Sequence, residues 1–260
     1  MDNWIVTLNV NQEQSVTGVV VIFHHAGGAA SNYVCYRQSI PSCYRLLICQ
    51  LPGRESHQSN PLCYSADEAA SQILQQLERM NTQLPVIFFG HSMGASLAWK
   101  TATLVQQQSD IKLIQLVLSA RRPPHVQQFE PNLMTCDDEQ VVQAVCHYGL
   151  IDPSLLEDSE FRKDLITKVR ADFAVANSTQ QVRQAITPLP LPITVFGGDL
   201  DDTVNLSHLS QWAAYSLKKF KCVLFPGDHF YLFKKNNQAM IGKVLSDAFT
   251  SYQVGDKQCL

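Results

Sequence analysis

The sequence predicts an α/β fold, with a mostly parallel central sheet, helices on both faces and one inserted helical lid. Three observations carry this. Seven short runs are almost continuously apolar, as strands covered on both faces must be. Stretches with helical spacing lie between most of them, and that alternation builds a parallel sheet. A serine flanked by glycines stands where one apolar run turns into a helix-like stretch. With 260 residues, 45% of them apolar and 17% charged, the chain is long enough to bury one sizeable core. A single domain over residues 1–250 follows, with 251–260 as a C-terminal tail.

The first candidate strands are "WIVTL" from Trp4, "VVVIF" from Val19 and "RLLICQL" from Arg45. A helix follows in "DEAASQILQQLERM". There Ala70, Ile73, Leu74, Leu77 and Met80 fall on one stripe, and Asp67 and Glu68 stand at the dipole-favoured amino end. Next come "VIFF" from Val86, the helix-compatible "ASLAWKTATLVQQQ" and "IKLIQLVLS" from Ile111. Between residues 123 and 186 the rhythm breaks, leaving only helical patches such as "DDEQVVQAVCHYG" and "EFRKDLITKVRADFAVA". Bounded by "RRPP" and "TPLPLP" and lying between two strands, residues 125–186 read as the helical lid. The runs "ITVF" from Ile193 and "KCVLF" from Lys221 complete the sheet. Residues 205–217 and 239–249 read as helices, and a frayed tail is expected after Phe249.

Composition excludes several classes of function. Twenty basic and 23 acidic residues are scattered along the chain for a net charge of −3, and no basic block is present to neutralise a phosphate backbone. Nucleic acid is therefore not an expected partner. No uninterrupted apolar window reaches membrane-spanning length, and the start carries no basic segment followed by a long apolar one. We expect a soluble protein with no membrane association. Eight cysteines include no Cys-x-x-Cys pair, and Cys49 and Cys222 lie in apolar runs where a reduced cysteine packs as a small hydrophobe. A cytoplasmic location fits reduced thiols. No His, Asp and Cys cluster has metal-ligand spacing, so no metal is expected. No dimer-forming stretch is evident, which makes a monomer the expectation.

Gly90-His91-Ser92-Met93-Gly94 fits Gly-x-Ser-x-Gly between a strand and a helix. A bare match is often an ordinary turn. In this context the glycines have a mechanical task, because a strand that reverses sharply into a helix leaves no room for side chains beside the serine. A serine hydroxyl needs a base to take its proton, and the base needs a third group to hold its tautomer. On such a sheet the order along the chain is Ser, acid, His. "ITVFGGDLDDTV" places Asp199, Asp201 and Asp202 after one strand, and "KCVLFPGDHFYLF" places His229 after the next. An acidic cluster after a strand is commonly a solvated turn, and a loop histidine commonly faces water, yet both fall where the order requires a partner. The other histidines read as packing or surface residues, with His25 a candidate pocket wall. An oxyanion formed at the attacked carbonyl needs backbone N–H donors. Met93, after the nucleophile, offers one at a helix start. "VVVIFHHAGGAASNY" offers another at Ala26, where Gly27 and Gly28 let the backbone approach a ligand.

Together these residues resemble a type II thioesterase of the α/β-hydrolase superfamily, a family that accompanies nonribosomal peptide and polyketide synthases. The resemblance runs from about Val19 to Phe233. It rests on "FHHAGGAASNY", "LPGRE" at 51–55, "GHSMGA" at 90–95, "SARRPP" at 119–124, "VRADF" at 169–173, "FGGDLDD" and "FPGDHFYL". It implies Ser92 as nucleophile, His229 as base, and the amides of Met93 and Ala26 as oxyanion donors, with His25, Gly27 and Gly28 at the substrate. The acid departs from the family spacing by one residue: counting back from Val204 selects Asp201, counting forward from the glycines moves the choice, and Asp202 stands where proline is frequent. Spacing therefore leaves Asp199, Asp201 and Asp202 open, with Asp201 the residue taken as the acid. "PGDHF" for the more usual "PGGHF" adds a carboxylate, Asp228, beside the base.

The implied reaction is hydrolysis of acyl or aminoacyl thioesters from the 4′-phosphopantetheine arm of acyl or peptidyl carrier protein domains, with no cofactor on the enzyme itself. Residues around 134–176 would form a mobile cover and part of the carrier-docking surface. Arg54, Arg121 and Arg122 are candidate phosphate contacts, although loop arginines are more often solvated. An acyltransferase, a cyclising thioesterase or a general carboxylesterase would need the same three side chains, and a chain with no attached carrier domain favours hydrolysis. A dead scaffold would be expected to have lost Ser92 or His229.

Overall fold

Val19, Val21 and Phe23 face one side of their strand and Val20 and Ile22 the other, and all five are buried. Period-two side chains covered on both faces make this an interior strand of a sheet sandwiched by helices. In the computed structural model, residues 3–8, 15–126, 133–149, 151, 153–180 and 185–257 are described. All seven expected strands are present: β1 (Ile5–Thr7), β2 (Gly18–Phe23), β3 (Tyr44–Cys49), β4 (Val86–His91), β5 (Leu113–Ser119), β6 (Ile193–Gly198) and β7 (Phe220–Phe225). They form one sheet in the order β1-β3-β2-β4-β5-β6-β7. Only β1 is antiparallel, pairing Ile5 with Cys49 on β3.

The helices are α1 (Ala66–Arg79), α2 (Met93–Gln108), α3 (Asp138–His147), α4 (Ser159–Ser178), α5 (Leu206–Ser210) and α6 (Lys235–Lys257). Buried residues of α1, α2 and α4 share a core with the Val19 face of β2. The 3-10 turn at Ala30–Gln38 and Ile241, Leu245 and Phe249 of α6 share the core on the Val20 face. The chain leaves β2 on one face and β4 on the other, so their carboxyl ends flank a switch point, where such sheets bind ligands.

Residues of α1 follow the expected stripe, with Ser65 capping the Glu68 N–H. Met80 is the exception; it falls just past the last helical residue and is exposed, and Ala66 and Ala69 complete the buried face instead. The helix expected over 205–217 is only partly α-helical. Asn205 caps α5, which gives way to a 3-10 turn at Gln211–Tyr215, and that tighter winding drives Trp212 and Tyr215 into the core against Trp99. At the other end, α6 continues to Lys257, past Phe249, where fraying was expected.

Among the described residues of 125–186 there is no strand, and α3 and α4 carry the segment. Arg170 of α4 donates to the carbonyls of Leu133 and Cys136 and to Asp138, which binds the two helices together. Ser178 at the end of α4 accepts the Ala66 N–H at 2.9 Å, anchoring α4 to the body of the fold. No helix among the described residues is long and apolar enough to cross a membrane.

Candidate active site

Ser92 has φ 54° and ψ −119°, a left-handed conformation that costs a non-glycine residue about 1–3 kcal/mol. The flanking glycines explain how the bend closes. A Cβ on Gly90 would lie 2.1 Å from the Gly94 carbonyl oxygen, and one on Gly94 would lie 2.0 Å from that of Phe23. Ser92 N–H donates to Ser119 O at 2.8 Å, which locks the bend onto β5. Met93 opens α2, so its N–H has no acceptor one turn back.

The candidate acid and base come from the ends of β6 and β7. His229 Nδ1 lies 2.8 Å from Asp201 Oδ2, and both side chains are buried. The other carboxylate oxygen, Oδ1, accepts from Thr203 Oγ1 at 2.6 Å and from the N–H groups of Thr203 and Val204 at 2.9 and 3.1 Å. Burial pushes the Asp201 carboxyl up, but the hydrogen bond and charge of His229, with Thr203 and Val204, outweigh it and hold the group below its ordinary value. Of the three aspartates left open by spacing, Asp199 accepts the Gly227 N–H at 2.7 Å and ties the two loops together. Asp202 is exposed, 3.8 Å from His147. Only Asp201 bonds His229 among these candidates. The extra carboxylate Asp228 is exposed and accepts the Phe230 N–H of its own turn at 3.0 Å.

Ser92 and His229 line one cavity together with Ala26, Met93 and His25. Tyr148, Phe173 and Ala176, from the segment between β5 and β6, complete its lining, and its empty space is about 430 Å³, part of it open to solvent. The predicted nucleophile, base, oxyanion donors and pocket wall therefore meet at one place. Gly27 and Gly28 stand behind it: Gly27 N–H donates to Asp172 Oδ2 at 2.7 Å, and the Gly28 carbonyl accepts from Arg54 Nη1 at 2.9 Å.

His91, beside the nucleophile, points inward as packing requires. Its Nδ1 lies 2.8 Å from Ser119 Oγ, and its ring is 5.1 Å from that of His229. Burial, then the neighbouring His229 and His25, push its pKa well down, so it stays neutral. Neither sequence reading of Arg54 holds: it is neither a phosphate ligand nor a solvated arginine, because it is 4% exposed and paired bidentately with Asp172. Arg121 is likewise buried, donating to Ser96 Oγ, and Arg122 donates to the Thr203 carbonyl behind the acid.

The model of a family described as "Thioesterase domain" matches residues 19–248. The chain belongs to this thioesterase family. The thioesterase is 28% identical over 234 residues to the gramicidin S biosynthesis protein GrsT of Aneurinibacillus migulanus, covering 90% of each chain. It has a TM-score of 0.82 and 26% identity to the type II thioesterase BorB from the borrelidin biosynthetic cluster, over 95% of this chain and 97% of that one. YbtT, a type II thioesterase from the Yersiniabactin NRPS/PKS biosynthetic pathway, shares its fold with a TM-score of 0.84 and 23% identity, over 95% of this thioesterase and 100% of YbtT. The resemblance to type II thioesterases and the α/β-hydrolase fold read from the motifs are both borne out.

Sequence reasoning missed Thr203 and Asp172. The signal for Thr203 was present, since an Asp followed two residues later by Thr is a common side-chain-capped turn. For Asp172 nothing local marks the role, because its partners are 118 and 145 residues away in the chain.

Proposed function

We propose that this thioesterase uses Ser92, His229 and Asp201 to hydrolyse acyl or aminoacyl thioesters held on the phosphopantetheine arm of carrier protein domains. The observation that carries the reading is the single lid-covered cavity lined by Ser92, His229, Ala26 and Met93, with Asp201 bonded to the far side of the imidazole. Asp201 holds the proton on Nδ1, which leaves Nε2 to accept. Ser92 Oγ attacks the carbonyl carbon while its proton passes to His229. The oxyanion rests on the N–H groups of Ala26 and Met93. Collapse breaks the C–S bond, and His229 gives its proton to the leaving thiolate. A water then loses a proton to His229 and attacks the acyl-serine, releasing the acid and returning Ser92 to its hydroxyl form.

Relatives from gramicidin S and borrelidin biosynthesis support carrier-bound substrates and an editing role. Work as a monomer in the cytoplasm, with no cofactor, belongs to the same proposal. Carrier domains loaded with several acyl groups test it. Wild type should release the acids and Ser92→Ala should not. Full turnover by Ser92→Ala would discard the mechanism, and turnover of soluble esters but not of carrier thioesters would reassign the protein as a plain esterase.

A further inference from the structure

We propose that the buried pair Arg54–Asp172 positions the oxyanion hole and ties it to the lid helix α4. The inference rests on the proposed role of the Ala26 N–H and extends it to the groups that aim it. Arg54 is 4% exposed and Asp172 wholly buried. Arg54 Nη1 reaches Asp172 Oδ2 at 2.9 Å and Nη2 reaches Oδ1 at 2.8 Å, a two-pronged contact of fixed geometry. Apart from Arg54 Nε, which donates to the Pro52 carbonyl at 3.4 Å, each partner makes one further bond, and both of these go to the same loop. Asp172 Oδ2 accepts the Gly27 N–H, and Arg54 Nη1 donates to the Gly28 carbonyl.

That loop is a β-turn, closed by Gly28 N–H donating to His25 O at 3.0 Å, with Gly27 at φ 73° in the position that a type II turn reserves for glycine. Ala26 is the residue before it. On its other side, His25 N–H donates to the Tyr33 hydroxyl at 3.2 Å, and His25 Nδ1 lies 2.9 Å from that oxygen. The Ala26 amide thus hangs between two anchored peptide groups, and Arg54 and Asp172 supply one of the anchors.

Stability alone does not explain such a pair. Buried ion pairs replaced by well-packed apolar residues are often neutral or better. Apolar side chains, however, cannot accept the Gly27 N–H or donate to the Gly28 carbonyl. Asp172 also sits on α4, four residues from Ala176 and next to Phe173, both of which line the cavity. The helix that forms the pocket wall therefore also holds the turn that aims the oxyanion donor. Three sequence marks, "HAGG", "PGRE" and "VRADF", meet in this one contact.

The test compares Asp172→Asn and Arg54→Lys with wild type on a soluble acyl-pantetheine thioester, measuring kcat, KM, melting temperature and inhibition by a trifluoromethyl ketone bearing the same acyl chain. The ketone adds to Ser92 Oγ as an alkoxide that needs the oxyanion donors. Losing a donor outright costs about 10²–10³ in rate, so misaiming one should lower kcat about 10- to 100-fold with little change in KM. Ketone affinity should fall by the same factor as kcat/KM. Folded variants with wild-type kcat and ketone affinity, or with only KM raised, overturn the proposal. Should the single variants fail to fold, Arg54→Met combined with Asp172→Leu leaves no unpaired buried charge and should fold but turn over slowly. Wild-type rates in that double variant, or its failure to fold, also overturn the positioning role. Ser92→Ala is run alongside: turnover by it sinks the serine mechanism and this inference with it, whereas its inactivity beside an unaffected Asp172→Asn sinks the positioning role alone.

Discussion

Thr203 donates its hydroxyl to Asp201 Oδ1 at 2.6 Å, on the carboxylate oxygen that His229 does not use. Each oxygen of Asp201 thus has its own partners, one facing the imidazole and one fixing the carboxylate plane. Asp201→Asn should leave the fold intact but favour the wrong imidazole tautomer, lowering kcat about 10³- to 10⁴-fold. Thr203→Val should lose one hydrogen bond to a charged group, about 1.5 kcal/mol or roughly tenfold in kcat, with KM nearly unchanged. Steady-state kinetics on one thioester measures both, and near-wild-type kcat in Asp201→Asn would show that another residue serves as the acid.

Gly94→Ala tests the close approach behind the nucleophile. The added methyl would meet the Phe23 carbonyl oxygen at 2.0 Å, and backbone on both sides cannot give way as a flexible side chain would. Destabilisation of about 3 kcal/mol or more is expected from overpacking at so short a contact. Urea unfolding measures it, and a midpoint equal to wild type would contradict the tight packing of β2 against α2.

Stability should fall as the solution is acidified below about pH 6.5. Burial, followed by the Arg54 charge, lowers the pKa of His24 to about 4. Burial, followed by neighbouring histidines, pushes those of His25 and His91 well down. These groups are depressed in the folded state, so their contribution is fully present above the unfolded pKa and is lost as pH drops toward the folded values. Unfolding then takes up as many as three protons, a slope of up to about 4 kcal/mol per pH unit. Asp201, also depressed, acts in the same direction at lower pH. Urea midpoints at pH 7.5, 6 and 5 measure the effect, and a flat profile would mean that these imidazoles are charged in the fold.

Tyr148 stands over His229, its ring 5.4 Å from the imidazole, and forms part of the cavity wall. Tyr148→Ala should weaken acyl binding by the value of an aromatic contact, about 0.5–1.5 kcal/mol, raising KM about 2- to 10-fold with a smaller effect on kcat. An acyl series from short to long chains would show the largest change for the chains that reach the lid.

Much of this architecture was legible in the residue order. Continuous apolar runs such as "VVVIF" and "VIFF" can be buried only between two layers, and the predicted strands appear where the runs are. Local chemistry also marked the bend at Ser92, because the glycine-flanked serine, often an ordinary turn when it stands alone, here lies between a strand-like and a helix-like run. Spacing left Asp199, Asp201 and Asp202 open, since three acids in one short loop differ only in where the folded loop aims them. The helix over 205–217 was misread in part because Trp212 and Tyr215 keep an apolar pattern while winding more tightly.

What the sequence determined by itself was the alternation of strand and helix, the nucleophilic bend and the order of its partners, all of which follow from short-range pattern and steric need. Tertiary structure decided which aspartate meets His229, that Arg54 faces Asp172 rather than a ligand, and that α4 both walls the cavity and holds the turn before Ala29. The last two of these outcomes depend on groups more than a hundred residues apart sharing buried space. Where water is excluded, each buried charge and N–H must find a partner, and only the folded chain determines which one is within reach.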